Sequence, residues 1–249
     1  MKKSIVAVCV FLIAQLLASG VMFISWECST AYKMIASMAA SEVLTFAVLW
    51  LIGYFRPSDL IKKVPSKVVL ICIPLIVCAI TAMDLINSIM DLPNLMEEEF
   101  KEIAGTLCGF LSIALVGPVI EEIVFRKIMI DGITEHGGKQ WIAILISSAV
   151  FGLIHLNPAQ IPFAFAIGIL FGWMYVRTGS MMPGLIGHIL NNTLAGFLMR
   201  TDYDSAPFLE KGTDLISNPA CMAILATCII ASVLLISALS NFYAEKTRA

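Results

Sequence analysis

Two adjacent glutamates interrupt an apolar segment near the middle of the chain. Glu121 and Glu122 directly follow the run from Leu115 to Ile120, and Arg126 comes four residues after Glu122. Ionisable side chains inside such segments are costly and usually functional. Residues four apart share a helix face, so Glu122 and Arg126 can form an ion pair, while Glu121 points to another face and is free for a different role. The alternative is an ordinary cluster at a helix end, with Arg126 reaching towards the membrane surface.

Two histidines and a pair of asparagines lie in later apolar segments. His155 lies four residues after Phe151, and His188 lies four residues before Asn192, which follows Asn191. His188 and Asn192 therefore share a helix face, and each can offer a hydrogen bond from it. A lone histidine near a helix end is more often a packing residue than a catalyst. Histidine and asparagine also form hydrogen bonds between membrane helices for stability alone, so both interpretations stay open for each motif.

Taken together, these side chains are the groups needed to activate water for attack on an amide. Glu121 in an apolar pocket would be the general base, and His155 could hold the same water. His188 and Asn192 could stabilise the oxyanion that forms at the scissile carbonyl. The alternative is a zinc ion held by Glu121, His155 and His188 with water in the fourth position, although no HExxH motif occurs. We expect no cofactor, with zinc as the alternative.

The order EExxxR, FxxxH and HxxxN, each on an apolar helix, resembles the CPBP family, also called the Abi or CAAX-protease family. These membrane-embedded peptidases include type II CAAX prenyl endopeptidases and bacterial proteins linked to bacteriocin maturation or self-immunity, and they often carry the label of metalloproteases. The resemblance covers about residues 100–200. It implies that Glu121 and His155 activate water and that His188 and Asn192 stabilise the oxyanion without a metal. The implied supporting residues are Glu122, Arg126, Phe151 and Asn191.

The composition predicts an integral membrane protein. Hydrophobic residues make up 59% of the chain and charged residues 14%, whereas an ordinary soluble domain is about 25% charged. The formal net charge of -2 argues against nucleic acid as a partner, because phosphate binding needs a concentrated basic face that this chain lacks. We expect the partners to be membrane lipid and a membrane-associated peptide or protein substrate.

Eight apolar stretches are long enough, or nearly long enough, to span a membrane. They cover approximately 4–26, 35–55, 68–90, 103–125, 141–156, 159–176, 181–199 and 219–243. The predicted fold is therefore an all-α bundle of about eight transmembrane helices forming a single domain over 1–249. Residues 100–200 are its predicted catalytic core, and residues 1–99 and 201–249 add further spanning helices. A bundle of seven spanning helices with one re-entrant segment is the main competitor.

The orientation follows from the positive residues in the short connections, because cytoplasmic loops carry the excess of lysine and arginine. Eight spans place both termini on one side, which predicts a multi-pass cell-membrane protein with both termini cytoplasmic. Four positive residues fall on the opposite side, namely Lys33, Lys101, Arg200 and Lys211. Twelve fall on the predicted cytoplasmic side: Lys2, Lys3, Arg56, Lys62, Lys63, Lys67, Arg126, Lys127, Lys139, Arg177, Lys246 and Arg248.

These span limits separate two of the catalytic candidates. Glu121 falls near the cytoplasmic end of its helix, and His155 falls near the opposite end of the next one. If the fourth helix continues through Ile128 and Ile130, Glu121 moves to mid-membrane and the two can meet. The alternative for residues 126–140 is a short amphipathic helix on the cytoplasmic surface.

Two other classes of function compete with a peptidase. A non-catalytic membrane protein, either an immunity protein or a scaffold, could use the same residues to pack helices or bind a peptide. A small transporter with a proton-linked carboxylate would give a role to Glu42 and Asp84, for which we otherwise expect roles in helix packing or at an entrance to the site. Transporters commonly contain repeats with broken helices, and the sequence contains no such repeat.

Overall fold

The computed structural model describes residues 1–25, 27–200 and 217–246, and every regular element in these ranges is a helix. The acidic loop residues from Asp202 to Asp214, together with Trp26 and Arg248, lie outside the described residues. Ten helices follow one another along the described chain: α1 Lys2–Ser19, α2 Thr30–Leu51, α3 Pro57–Leu60, α4 Ser66–Met90, α5 Glu97–Gly105, α6 Leu107–Thr134, α7 Gln140–Leu153, α8 Ile161–Thr178, α9 Met182–Arg200 and α10 Pro219–Lys246.

Each of the eight predicted apolar stretches overlaps one of the longer helices, so the all-α, multi-pass membrane fold is confirmed. Six of them, α1 with its short extension to Phe23, α2, α4, α6, α8 and α10, are long and apolar enough to cross a membrane. Helix α7 has only 14 residues, about 21 Å at 1.5 Å per residue, and is shorter than the roughly 30 Å hydrocarbon core. Helix α9 carries His188, Asn191 and Asn192 in its centre. The number of helices that cross the membrane stays a prediction.

The central helix of the bundle is α6, which packs against α1, α2, α7, α8 and α9. Thr106 starts this helix, because its hydroxyl oxygen accepts a hydrogen bond from the amide of Gly109 at 3.0 Å. The helix continues to Thr134 rather than ending near residue 125. The surface amphipathic helix considered for residues 126–140 is therefore wrong, since Ile128 and Ile130 are buried in the core. These side chains pack against α1 and α7 and do not lie on the membrane surface.

Two segments of α6 are wound as π-helix, Ser112–Val116 and Glu122–Ile130. Such widened turns are rare and occur frequently at functional sites. In the second segment, two carbonyl groups accept hydrogen bonds from neighbouring helices. The hydroxyl of Ser147 on α7 donates to the carbonyl of Phe125 at 2.6 Å, and that of Ser4 on α1 donates to the carbonyl of Met129 at 3.1 Å. The irregular backbone of α6 is thus held from two sides by buried serines.

Candidate active site

An ion pair inside α6 forms the base of the site. The Nε atom of Arg126 lies 3.3 Å from Oε2 of Glu122, and both side chains are almost completely buried, at 1% and 0% exposure. The guanidinium group also lies over the ring of Phe151, 4.4 Å from its centroid. The pairing predicted from the four-residue spacing is therefore present. The alternative in which Arg126 extends to the membrane surface is wrong, because its whole side chain is enclosed by protein.

His188 on α9 connects the two adjacent glutamates. Its Nδ1 atom lies 3.2 Å from Oε1 of Glu122, and its Nε2 atom lies 3.3 Å from Oε2 of Glu121. A neutral imidazole has a single N–H, so two carboxylates can face one ring only if a further proton is shared among the three groups. The two glutamates differ in access to water, because the side chain of Glu121 is 21% exposed while that of Glu122 is fully buried.

Small residues on α9 allow this close approach to α6. A Cβ atom added at Gly184, one turn before His188, would lie 3.0 Å from Oε2 of Glu122 and 3.2 Å from Cβ of Phe171. One turn is the spacing that places Gly184 and His188 on the same face of the helix. The absence of a side chain at Gly184 therefore gives the buried carboxylate its space, and His188 reaches it from the same side.

His155 lies in the turn that follows α7, not within the helix. Its Nδ1 atom is 2.8 Å from the carbonyl oxygen of Phe151. A carbonyl can only accept, so Nδ1 carries the proton in the neutral ring and Nε2 is left with a lone pair. The ring of Phe151 contacts both histidines, with centroid distances of 5.1 Å to His155 and 5.6 Å to His188. Both histidines therefore lie around one phenylalanine.

The observed helix ends change where Glu121 and His155 lie along their helices. Because α6 runs from Leu107 to Thr134, Glu121 is near its midpoint instead of near its end. Helix α7 ends at Leu153, three residues before the predicted limit, so His155 lies in the following turn. The predicted helix ends that separated Glu121 from His155 are therefore wrong.

The turn that carries His155 is anchored by a residue that sequence reasoning missed. Asn157 is fully buried. Its Nδ2 atom donates to Oδ1 of Asn94 at 2.7 Å, and its Oδ1 atom accepts from the amide of Leu95 at 3.1 Å. The available signal was a polar residue between a histidine and Pro158, where it can hold a turn through local hydrogen bonds.

Asn192 on α9 also contacts α6. Its Nδ2 atom donates to the carbonyl of Ile113 at 3.0 Å, in the first π-helical segment. Its Oδ1 atom accepts from Nδ2 of Asn191 at 3.1 Å, which fixes the orientation of the amide. His188 and Asn192 thus both reach α6 from one face of α9, as their spacing predicted. The amide nitrogen of Asn192 has a second N–H in addition to the one that Ile113 accepts.

Glu42 on α2 lies beside this group, although sequence reasoning found no partner for it. The hydroxyl of Ser112 lies 3.0 Å from both carboxylate oxygens of Glu42. A Cβ atom added at Gly117 would lie 3.6 Å from Oε1 of Glu42. Gly117 is one turn before Glu121, so Glu42 adds a second partly buried carboxylate near the exposed side of the site. Asp84 on α4 joins none of these contacts.

The residues considered for a zinc site do not come together as a ligand set. Glu121 and His188 are neighbours, but one ring nitrogen of His155 is already bonded to the carbonyl oxygen of Phe151. Within the described ranges, no group of three or more His, Cys, Asp or Glu side chains has an arrangement that could hold a metal ion. The donor set of a catalytic zinc, which needs three protein ligands, is therefore not formed.

The family model of type II CAAX prenyl endopeptidase Rce1-like proteins matches residues 103–194, a range that contains all three motifs. The Bacillus subtilis strain 168 protein YdiL, named as a candidate membrane peptidase, is 35% identical over 80 residues, which are 32% of each chain. This match therefore spans only about a third of that relative's length. Over this range the chain is similar to the CAAX-type membrane peptidases, the class that its three motifs resemble. A further relative, the membrane-embedded CAAX protease MroQ of Staphylococcus aureus strain USA300, is 24% identical over 232 residues, covering 69% of this chain and 93% of MroQ. No solved structure matches the chain.

The match to the Rce1-like family model gives the three motifs a common context. The matched range begins at the end of α5 and ends within α9, so it includes the whole of α6, α7 and α8. These helices carry the buried ion pair, the turn with His155 and the face with His188. The apolar helices and the similarity to membrane peptidases together support a multi-pass membrane protein.

Proposed function

We propose that the chain is an endopeptidase that cuts a peptide bond in a membrane-associated substrate, with Glu121 as the base that activates water. The observation that carries the proposal is the geometry of the Glu121, Glu122 and His188 group. Glu121 is the carboxylate of this group that solvent can reach, at 21% exposure, and Oε2 of Glu121 lies 3.3 Å from His188. The family match and the names of the two relatives support the class of reaction.

The proposed reaction begins with a proton transfer from water to Glu121. The water oxygen forms a bond to the carbonyl carbon of the substrate, and the carbonyl oxygen becomes an oxyanion. The C–N bond then breaks as Glu121 returns the proton to the leaving amine. A positioned carboxylate of this kind contributes roughly a hundredfold to ten-thousandfold to the rate. Glu122 and Arg126 support the base by fixing His188 from the buried side.

His155 and Asn192 are proposed to contact the reacting groups. The free lone pair on Nε2 of His155 can accept a hydrogen bond from the attacking water, because Nδ1 is bonded to Phe151. The second N–H of Asn192 can donate to the oxyanion, and so can Nε2 of His188 when Glu121 has taken up a proton. Phe151 and Asn191 hold these groups in place through a ring contact and an amide hydrogen bond.

The test compares the protein with its Glu121→Gln variant in proteoliposomes that contain a library of membrane-anchored peptides, half of them with a prenylated C-terminal cysteine. New peptide termini are identified by mass spectrometry. We expect the unmodified protein to produce defined cuts and Glu121→Gln to lower their rate by about a hundredfold or more. The prenylated half of the library separates a CAAX-type substrate from other membrane peptides.

Glu98→Gln is the matched control, because Glu98 is 86% exposed and lies outside the site. This variant should cut at the unmodified rate, and both variants should unfold at the same temperature as the unmodified protein. Equal cutting by the protein and by a folded Glu121→Gln variant would refute the proposal. Such a result would favour the non-catalytic alternative, an immunity or scaffold protein.

The same cleavage assay also tests whether the reaction depends on a metal ion. Because Glu121, His155 and His188 do not form a three-ligand set, we expect EDTA and 1,10-phenanthroline to leave the cutting rate unchanged. Loss of activity with either chelator, restored by added zinc, would contradict this prediction and would support the zinc alternative.

A further inference from the structure

A cleft lies between the start of α7 and the end of α8, far from the candidate active site. Its volume is about 460 Å³, which is within the usual range of small-molecule sites. Lys139 directly precedes α7, and Arg177 is in the last turn of α8, so the cleft is at the end of two apolar helices. His155 follows the other end of α7, about 20 Å away at 1.5 Å per residue.

The walls of the cleft combine positive charge with aromatic and apolar surface. Lys139 and Arg177 provide two exposed cations, and Trp141 and Trp173 provide two indole rings. Trp141 is 59% exposed, which is unusual for so large an apolar side chain unless lipid or a ligand covers it. Tryptophan at a helix end is typical of the interface between hydrocarbon and headgroups. The deeper wall is formed by the aliphatic residue Ile144.

Neighbouring carboxylates do not neutralise the two cations. Glu135 pairs with Lys3 at 3.0 Å, and this hydrogen bond holds the pKa of Glu135 below its usual value. Asp131 pairs with Lys127 at 3.0 Å. Among the described residues, no carboxylate lies within ion-pair distance of Lys139 or Arg177, so the cleft retains a charge of about +2 at neutral pH.

We propose that this cleft binds the headgroup of an anionic phospholipid. The phosphodiester would lie between Lys139 and Arg177, the indoles would lie at the level of the glycerol backbone, and an acyl chain would follow Ile144 into the membrane. Basic pockets between membrane helices on the cytoplasmic side are typical sites for anionic headgroups. Both cations are among the residues that the charge distribution assigns to the cytoplasmic side. The proposal does not depend on the peptidase activity.

Tryptophan fluorescence gives a direct test, because two of the four tryptophans line the cleft. A protein with Trp26→Phe and Trp50→Phe is reconstituted in phosphatidylcholine vesicles that contain brominated phosphatidylglycerol or brominated phosphatidylcholine as quencher. We expect binding to the anionic lipid to be stronger by about 30-fold, since each cation near a membrane surface contributes roughly a factor of five. The preference should fall to near unity in Lys139→Gln/Arg177→Gln.

Two further variants separate a built site from general charge attraction. Lys139→Arg/Arg177→Lys keeps the charge and should keep most of the preference. Lys2→Gln/Lys63→Gln removes two exposed cations from the same predicted side but outside the cleft, and should keep the full preference. Equal quenching by both lipids, or an equal loss in the Lys2/Lys63 control, would overturn the proposal. Loss of the preference on addition of inorganic phosphate would also overturn it, by identifying a site for free anions.

Discussion

Arg126 is a cation enclosed by protein, with 1% of its side chain exposed. Charges in such positions need a partner, because desolvation of an isolated ion costs far more than a folded protein can supply. Glu122 provides the opposite charge at 3.3 Å, and the rings of Phe151 and Phe171 cover the guanidinium group at centroid distances of 4.4 and 5.7 Å. The same glutamate holds His188, so the ion pair and the candidate catalytic group share one carboxylate.

Arg126→Ala should lower the free energy of unfolding by about 3 to 5 kcal/mol, because it leaves Glu122 buried without its cation. The measurement is a denaturant titration in detergent micelles. Lys101→Ala is the control, since Lys101 pairs with Glu97 on an exposed surface and is expected to leave the unfolding midpoint unchanged. If both variants unfold at the same denaturant concentration, Glu122 does not depend on Arg126 for its burial.

Helix α6 positions the site through its departures from regular α-helix. Its second π-helical segment begins at Glu122, directly after Glu121, and its first begins at Ser112, which donates to Glu42. The two adjacent glutamates at the start of the second segment both reach one imidazole from α9. The carbonyl of Phe125 in this segment depends on Ser147 of α7 for a hydrogen bond.

Ser147→Ala should therefore affect both stability and activity. Loss of the buried donor leaves the Phe125 carbonyl without its partner from α7, at a cost of about 1 to 3 kcal/mol in unfolding free energy. The freed segment can also rewind and shift Glu121, so the cutting rate should fall. Ser148→Ala is a matched control, because the hydroxyl of Ser148 donates within α7 to the carbonyl of Ile144. Equal effects of the two substitutions would show that the π-helical segment does not need Ser147.

At the scale of the whole molecule, the bundle changes the charge count on which the predicted orientation depends. That count places Arg126 among the positive residues of the cytoplasmic connections, but it belongs to the core. Arg126 is buried in α6, so it cannot contribute to the orientation. Eleven positive residues remain on the predicted cytoplasmic side against four on the other. The bias is therefore preserved, and the prediction that both termini are cytoplasmic stands.

The orientation can be tested with epitope tags at both termini of the full chain. Protease added to spheroplasts should leave both tags intact, whereas a tag inserted after Asn94, in the connection between α4 and α5, should be removed. Digestion of one terminal tag but not the other would indicate an odd number of spans, as in the seven-helix alternative. Digestion of both terminal tags would reverse the predicted orientation.

The sequence by itself determined the class of the molecule and the local pairs within it. Apolar helices follow from composition and run length, and the pair of Glu122 and Arg126 follows from the four-residue spacing, because both depend only on neighbours along the chain. Tertiary structure decided the rest. His188 is 66 residues from Glu122, and Ser112 is 70 residues from Glu42. Contacts at such separations depend on where each helix ends and how it packs, and the sequence left the end of α6 open between two alternatives. The two π-helical segments of α6 have no short-range signal in the sequence.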